Sequence, residues 1–240
     1  MITYPTFHID QSIHEAAERA MVRIAPVLAG IDETTDYNQQ KMMAAFAAAR
    51  VSESHFAAST GYGYGDRGRE ALDQVYAFAL GAEDALVRHN FVCGTHALTV
   101  ALFGVLRPGD TMLSVTGVPY DTLQGVIGLT GDGNGSLREF GIRYEQVELT
   151  PDGKPDYEEI ARRVKPGLKM AYIQRSRGYS LRPSLFVEEI GKIAAVVKEQ
   201  APDCIVMVDN CYGEFVQREE PLAYGADLMA GSLIKNPGGG

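Results

Sequence analysis

The sequence predicts an α/β fold with a mostly parallel sheet, and three observations predict it. Apolar runs of strand length recur, notably Leu168-Lys169-Met170-Ala171-Tyr172-Ile173-Gln174 and Ile205-Val206-Met207-Val208, and such near-continuous runs belong to strands buried on both faces. Amphipathic stretches of helical period lie between them. Turns rich in Pro and Gly, Arg107-Pro108-Gly109-Asp110 and Pro151-Asp152-Gly153-Lys154-Pro155, separate the two kinds of segment, and alternation of this kind marks a parallel sheet covered by helices.

From Ser12 to about Leu28, alanines and aliphatics recur at helical spacing among Glu15, Glu18, Arg19 and Arg23, with Gly30 as the expected stop. A second helix is expected from Tyr37 to Arg50; its Met42, Met43, Ala44, Ala45 and Phe46 form a packing surface rather than a cofactor site. Gly61-Tyr62-Gly63-Tyr64-Gly65-Asp66-Arg67-Gly68-Arg69-Glu70 alternates glycine with bulky residues, which suits a loop. It reads equally as a mobile surface loop and as an anion-binding loop, with Arg67 or Arg69 and a tyrosine hydroxyl as donors. Helix resumes from Glu70 to Leu80 and closes at Gly81.

A strand over Asp84–Arg88 and an almost wholly apolar helix reaching Phe103 come next, joined through Phe91-Val92-Cys93-Gly94-Thr95-His96. A small-residue turn feeding a helix offers free backbone amides at a positive helix end, which is a phosphate site by geometry. The turn reads equally as a plain connection with Thr95 as N-cap, and His96 reads as facing a bound group or, in preference, as a packed side chain. No glycine-rich nucleotide fingerprint is present. Thr111–Val115 is a strand, and Tyr120 just beyond it, rigidified by Pro119, can lay its ring on a flat heterocycle. Gly131–Ser136 is a loop, Arg143–Leu149 a strand, and a helix runs through Ile160 to Val164. The Leu168–Gln174 strand ends in Arg175 and Arg177, which read either as anion ligands or as partners of surface carboxylates. Ser184–Gln200 is an amphipathic helix with Phe186, Ile190, Ile193 and Val197 on its apolar face.

Composition bounds the function. The 240 residues are 45% hydrophobic, enough to bury a sizeable core, and 22 basic against 31 acidic residues leave a net charge of −9. Such a chain has no electrostatic reason to seek nucleic acid or an anionic membrane surface. Three cysteines, Cys93, Cys204 and Cys211, form no disulfide framework and no zinc or redox pair, so no metal is expected and a reducing cytoplasm fits. Met1-Ile2-Thr3-Tyr4-Pro5 has no signal-peptide character, and no apolar run approaches a membrane span.

The chemistry concentrates at two late positions. Asp209 closes the Ile205–Val208 run, where an open α/β sheet places its ligands. Lys235 follows a short apolar run broken by Gly231 and Ser232 and precedes Pro237-Gly238-Gly239-Gly240. It reads as a lysine at a buried strand end, either solvated or with its amine desolvated and its pKa lowered for use on a carbonyl. An acid at one strand end and a lysine at the next is what pyridoxal phosphate chemistry requires: the acid keeps the ring nitrogen protonated and the lysine holds the aldehyde as a Schiff base.

These motifs resemble a known family. Val92-Cys93-Gly94-Thr95-His96-Ala97, Gln174-Arg175-Ser176-Arg177-Gly178-Tyr179, Val208-Asp209-Asn210-Cys211-Tyr212-Gly213-Glu214-Phe215 and Gly231-Ser232-Leu233-Ile234-Lys235-Asn236 are similar to those of fold-type I pyridoxal phosphate enzymes of the cystathionine lyase class. The nearest branch is the methionine gamma-lyase family, also called aluminium resistance proteins. The resemblance implies a three-layer large domain over residues 61–240, preceded by a helical segment over residues 1–60. It implies pyridoxal 5'-phosphate as cofactor, Lys235 as the lysine that bonds it, and Asp209 as partner of its ring nitrogen. Tyr120 would stack on the ring; Gly94, Thr95 and Ser232 would hold the phosphate. Tyr62 and Arg67 match, at altered spacing, the pair that a neighbouring subunit lends to the phosphate site, and Tyr212 sits where some relatives place a hydroxyl against the ring oxygen.

The implied activity is carbon–sulfur bond elimination from a sulfur amino acid, in a cytoplasmic homodimer or homotetramer. Alternatives on the same scaffold are an aldolase or aminotransferase, or a non-catalytic stress-response protein. Members of the class continue beyond the lysine into a small C-terminal domain that supplies the arginine for the substrate carboxylate. The expectation is therefore an N-terminal part of such an enzyme, with an incomplete site and exposed core surface.

Overall fold

In a computed structural model describing residues 9–238, the chain folds around one five-stranded sheet. Helix α1 (Gln11–Ala48) leads to α2 (Arg67–Leu80) and α3 (Gly94–Val105); then β1 (Thr111–Ser114), α4 (Asp121–Ile127), β2 (Arg143–Gln146), α5 (Tyr157–Arg163), β3 (Met170–Gln174), α6 (Val187–Gln200), β4 (Ile205–Asp209) and β5 (Leu228–Ala230) follow. The strand order is β2-β1-β3-β4-β5, and every pairing is parallel. Met1–Pro5 and Gly239-Gly240 lie outside the described residues.

Alternation along the strands sorts the core into two layers. Leu113, Ala171, Ile173, Val206 and Val208 pack with Ile160 of α5 and Ile190, Ile193 and Val197 of α6. Met112, Met170, Tyr172 and Met207 face the other way, onto Leu98 and Leu102 of α3 and Leu123 and Ile127 of α4. Strands β3 and β4 are covered on both faces, which accounts for their unbroken apolar character. A third, small cluster joins α1 to α2 through Ala45, Val75 and Ala79.

Several expectations are corrected. Residues 11–48 form one helix rather than two, so Gly30 is no stop. A helical glycine costs only about 1 kcal/mol against alanine, and no left-handed turn with capping bonds forms there. The start is set by Asp10, whose carboxylate accepts Ser12 N–H at 2.8 Å. Helix α2 begins at Arg67, capped by Asp66, so Arg67 and Arg69 belong to its first turn and not to the glycine-tyrosine loop. Asp84–Arg88 forms no strand and joins no ladder; instead the Val87 N–H and the Arg88 guanidinium both donate to Asp73 Oδ1, each at 2.7 Å. Phe186 precedes α6 and is exposed, whereas Ile190, Ile193 and Val197 are buried as expected. Helix α4 had no counterpart in the sequence reading. No helix among the described residues is long and apolar enough to cross a membrane.

Candidate functional site

Parallel strands bring their C-terminal ends to one edge, and the register puts Gln174, Asp209 and Ala230 side by side there. Asp209, the last residue of β4, is 4% exposed. Its Oδ1 accepts Cys211 N–H at 3.1 Å, and its Oδ2 accepts the Tyr172 hydroxyl at 3.2 Å. Burial pushes its carboxyl above the ordinary range, while the bonds from Cys211 and Tyr172 and the charge of Lys235 oppose that shift. It forms no ion pair among the described residues: a buried acid is set at the ligand edge of the sheet without a cation against it.

The chain turns sharply after Asp209. Tyr212 has φ 71° and Phe215 φ 60°, left-handed conformations that are strained for bulky side chains and collect at functional positions. The turn aims Tyr212 at Lys235: Nζ donates to Oη at 3.0 Å and lies 4.4 Å from the ring centroid.

Lys235 differs from its expected setting in two ways. β5 ends at Ala230, so the lysine sits in a turn beyond the strand rather than at its end. Its side chain is exposed rather than desolvated, and the Tyr212 hydrogen bond raises the amine pKa instead of lowering it. The negative charge of Asp209 adds to that rise.

Two further candidates, Gly94 and Ser232, converge here. Gly94 opens α3, and a Cβ on it would stand 2.9 Å from Cys211 Sγ and 3.5 Å from Ser232 Cβ. The amide end of a 12-residue helix therefore abuts the turns carrying Asp209 and Lys235. The N-cap is Cys93, not Thr95, and Thr95 Oγ1 instead bonds Thr122 Oγ1 at 2.7 Å. Ser232 is buried in the lysine turn. Gly94→Ala is expected to destabilise the protein by about 1–3 kcal/mol, because the new methyl would stand closer to the partly buried Cys211 thiol than van der Waals contact allows. A denaturant midpoint equal to that of the unmodified protein would show that the helix start yields freely.

Tyr120 stands at the same edge, its N–H bonded to Gln174 Oε1 at 2.6 Å. Its ring lies 5.6 Å from that of Tyr179, tilted by 32°, and the neighbouring Tyr179 hydroxyl pushes its pKa up to about 12. Tyr62 and Arg67 are not joined to this group among the described residues. Tyr62 is exposed with its ring 5.4 Å from that of Tyr64, and Arg67 is exposed at the start of α2.

Arg175 is no anion ligand. It is 3% exposed, and its guanidinium donates to Asn210 Oδ1 and Gly213 O at 2.8 Å each, Gln217 Oε1 at 2.9 Å and Leu185 O at 3.2 Å. Glu220 lies 3.4 Å away as its ion partner. Arg177 is exposed.

Two participants escaped the sequence reading. Tyr172 was legible in principle, since a tyrosine within a buried strand needs a partner for its hydroxyl. Glu214, in the turn after β4, is 1% exposed; its signal was a lone acid between Gly213 and Phe215.

A family model described as methionine gamma-lyase matches residues 13–240. The chain is 48% identical to YnbB of Bacillus subtilis strain 168, itself uncharacterized, over 99% of this chain and 56% of that protein. It superposes with a TM-score of 0.90 on the carbon-sulfur lyase involved in aluminum resistance from Clostridium novyi NT, at 51% identity over 94% of this chain and 54% of that one. With cystathionine beta-lyase MetC of Bacillus subtilis it shares 28% identity over 78% of this chain and 43% of that one. The chain thus spans about half the length of the relatives it matches. The likeness agrees with the expected fold class, the α/β large domain of the fold-type I enzymes.

Proposed function

Since the chain belongs to the methionine gamma-lyase family, we propose that its Lys235 edge is the cofactor site of a pyridoxal phosphate-dependent carbon–sulfur lyase acting on a sulfur amino acid. The observation that carries this reading is convergence: the Lys235 turn, the buried Asp209, the start of α3 and Ser232 meet at the C-terminal edge of one parallel sheet. The curated relatives include a cystathionine beta-lyase and an L-methionine gamma-lyase, which favours a thioether substrate.

The residues fit the cofactor. Gly94 leaves open the space that a side chain would fill beside Ser232, and the helix amides with the Ser232 hydroxyl suit a phosphate. Asp209 is an acid in want of a cation, which a protonated pyridine nitrogen provides. Tyr120 would lie on the ring, and Tyr62 with Arg67 would reach the site of a second copy in a homodimer or homotetramer. When bound, the cofactor would supply an aldehyde for amines and a ring that accepts electrons.

What the chain's own groups do follows from their positions. Lys235 is the base that takes the α-proton of the amino acid, and Tyr212 Oη, at 3.0 Å, orients its amine. Asp209 would hold a proton at the ring nitrogen, and the Tyr172 and Cys211 bonds fix the direction of its carboxylate.

The test is a titration of the purified protein with pyridoxal phosphate followed by cystathionine or methionine, reading thiol, ammonia and keto acid release. Thiol and ammonia together support the lyase. Transfer of the amino group without thiol release would favour an aminotransferase, and an absorbance indifferent to every amino acid would favour a non-catalytic role.

A further inference from the structure

Glu214 has two carboxyl oxygens in unlike surroundings. Oε1 accepts Ser232 N–H at 2.6 Å, across 18 residues of chain. Oε2 is buried and has no hydrogen-bond partner among the described residues. Three further contacts join the same pair of turns. Gly231 passes so close to Glu214 that a Cβ there would collide with Oε1, and Asn236 Nδ2 donates to the carbonyls of Tyr212 at 3.2 Å and Glu214 at 2.9 Å. The Ser232–Asn236 turn lies beyond the last rung of β5, and its backbone bonds from Lys235 and Asn236 return to Ser232 itself.

Resting on the reading of Lys235 and Ser232 given above, we infer that Glu214 is a positioning residue: its carboxyl fastens the lysine turn to the turn after β4 and so sets where amine and hydroxyl stand. The clamp is the neutral acid. A charge on a buried oxygen without a donor costs far more than an unpaired hydroxyl there. Burial pushes Glu214 up to about 7; Glu220 and Asp209 push the same way, and the Ser232 bond opposes them. Asp209 and Cys211 face it from the end of β4, Glu220 from the loop beyond, Tyr76 from α2 and Arg175 from the end of β3. Arg175, the one cation of that set, is engaged by Asn210, Gly213, Gln217 and Glu220. The folded-state pKa lies above the ordinary glutamate value of 4.5, so the stabilisation is whole below about pH 4.5 and is lost as pH rises through about 7.

Hydrogen exchange at residues 231–236 of the cofactor-free protein tests this, with Glu214→Gln, Glu214→Ala and the unmodified protein compared at pH 6 and 8 after correction for intrinsic rates. Glutamine keeps the acceptor for Ser232 N–H without a titrating proton. Its turn should stay as protected at pH 8 as at pH 6, while the unmodified protein loses protection over that interval. Alanine should exchange about tenfold faster at both values and bind pyridoxal phosphate about tenfold more weakly. Alanine protected like the unmodified protein, or glutamine exchanging like alanine, would overturn the clamp. If alanine fails to fold, the pH comparison between glutamine and the unmodified protein decides alone. An unmodified protein that binds no pyridoxal phosphate refutes the proposed function, and the exchange data still judge the clamp.

Discussion

Lys235→Ala is expected to fold normally and to lose both covalent attachment of pyridoxal phosphate and turnover, the latter by a factor of about 10³ or more. Two roles would vanish together, because in the proposed function the amine that bonds the aldehyde is also the base for the α-proton, and a positioned base alone contributes about 10²–10⁴. Folding should be spared. The side chain is exposed and its one direct hydrogen bond among the described residues is to Tyr212 Oη, so stability should move by no more than about 0.5 kcal/mol. Borohydride trapping with mass spectrometry reads the attachment, and keto acid release reads the rate. A variant that still yields the trapped adduct at position 235's peptide neighbours, or turns over at the unmodified rate, would move the reacting amine elsewhere.

The largest effect on stability belongs to Arg175→Ala, expected to cost about 3–5 kcal/mol. Arg175 and Glu220 have side chains 3% and 1% exposed. Burial lowers the arginine pKa and raises that of the glutamate, so desolvation outweighs their mutual attraction, and hydrogen bonds carry much of the arrangement. Removing the guanidinium strands the Glu220 carboxylate and leaves Asn210 Oδ1, Gly213 O and Gln217 Oε1 without that donor. For a chain of this size the midpoint of thermal unfolding should fall by roughly 6–20 °C. Arg177→Ala, at an exposed position two residues on, serves as control and should change stability by less than about 0.5 kcal/mol. Equal melting of the two variants would dismiss the buried network as a source of stability.

The contrast between these arginines shows what the sequence could and could not convey. Asp209 was legible because an acid closing an apolar run marks a strand end, and β4 has the expected bounds. The layers were legible for the same reason, since Ile190, Ile193 and Val197 share a helical face and are buried. Burial of Arg175 was not, because it depends on Asn210, Gln217 and Glu220, from 35 to 45 positions away. Asp84–Arg88 had strand character and no neighbour to pair with; its donors went to Asp73. The exposure of Lys235 followed from how the Ser232–Asn236 turn docks, which local pattern does not encode. Gly94, by contrast, was read from its neighbours, and its closeness to Ser232 across well over a hundred residues came from the topology.

Because all five strands run the same way, the proposed site occupies one end of the sheet and, among the described residues, leaves the other, blank end clear of it. Lys165-Pro166-Gly167 before β3 and Pro202-Asp203 before β4 are exposed connections at that blank end. A fluorophore or an affinity handle attached there would sit the full length of a strand away from Asp209. Such a reporter could follow unfolding or assembly while leaving the chemistry undisturbed.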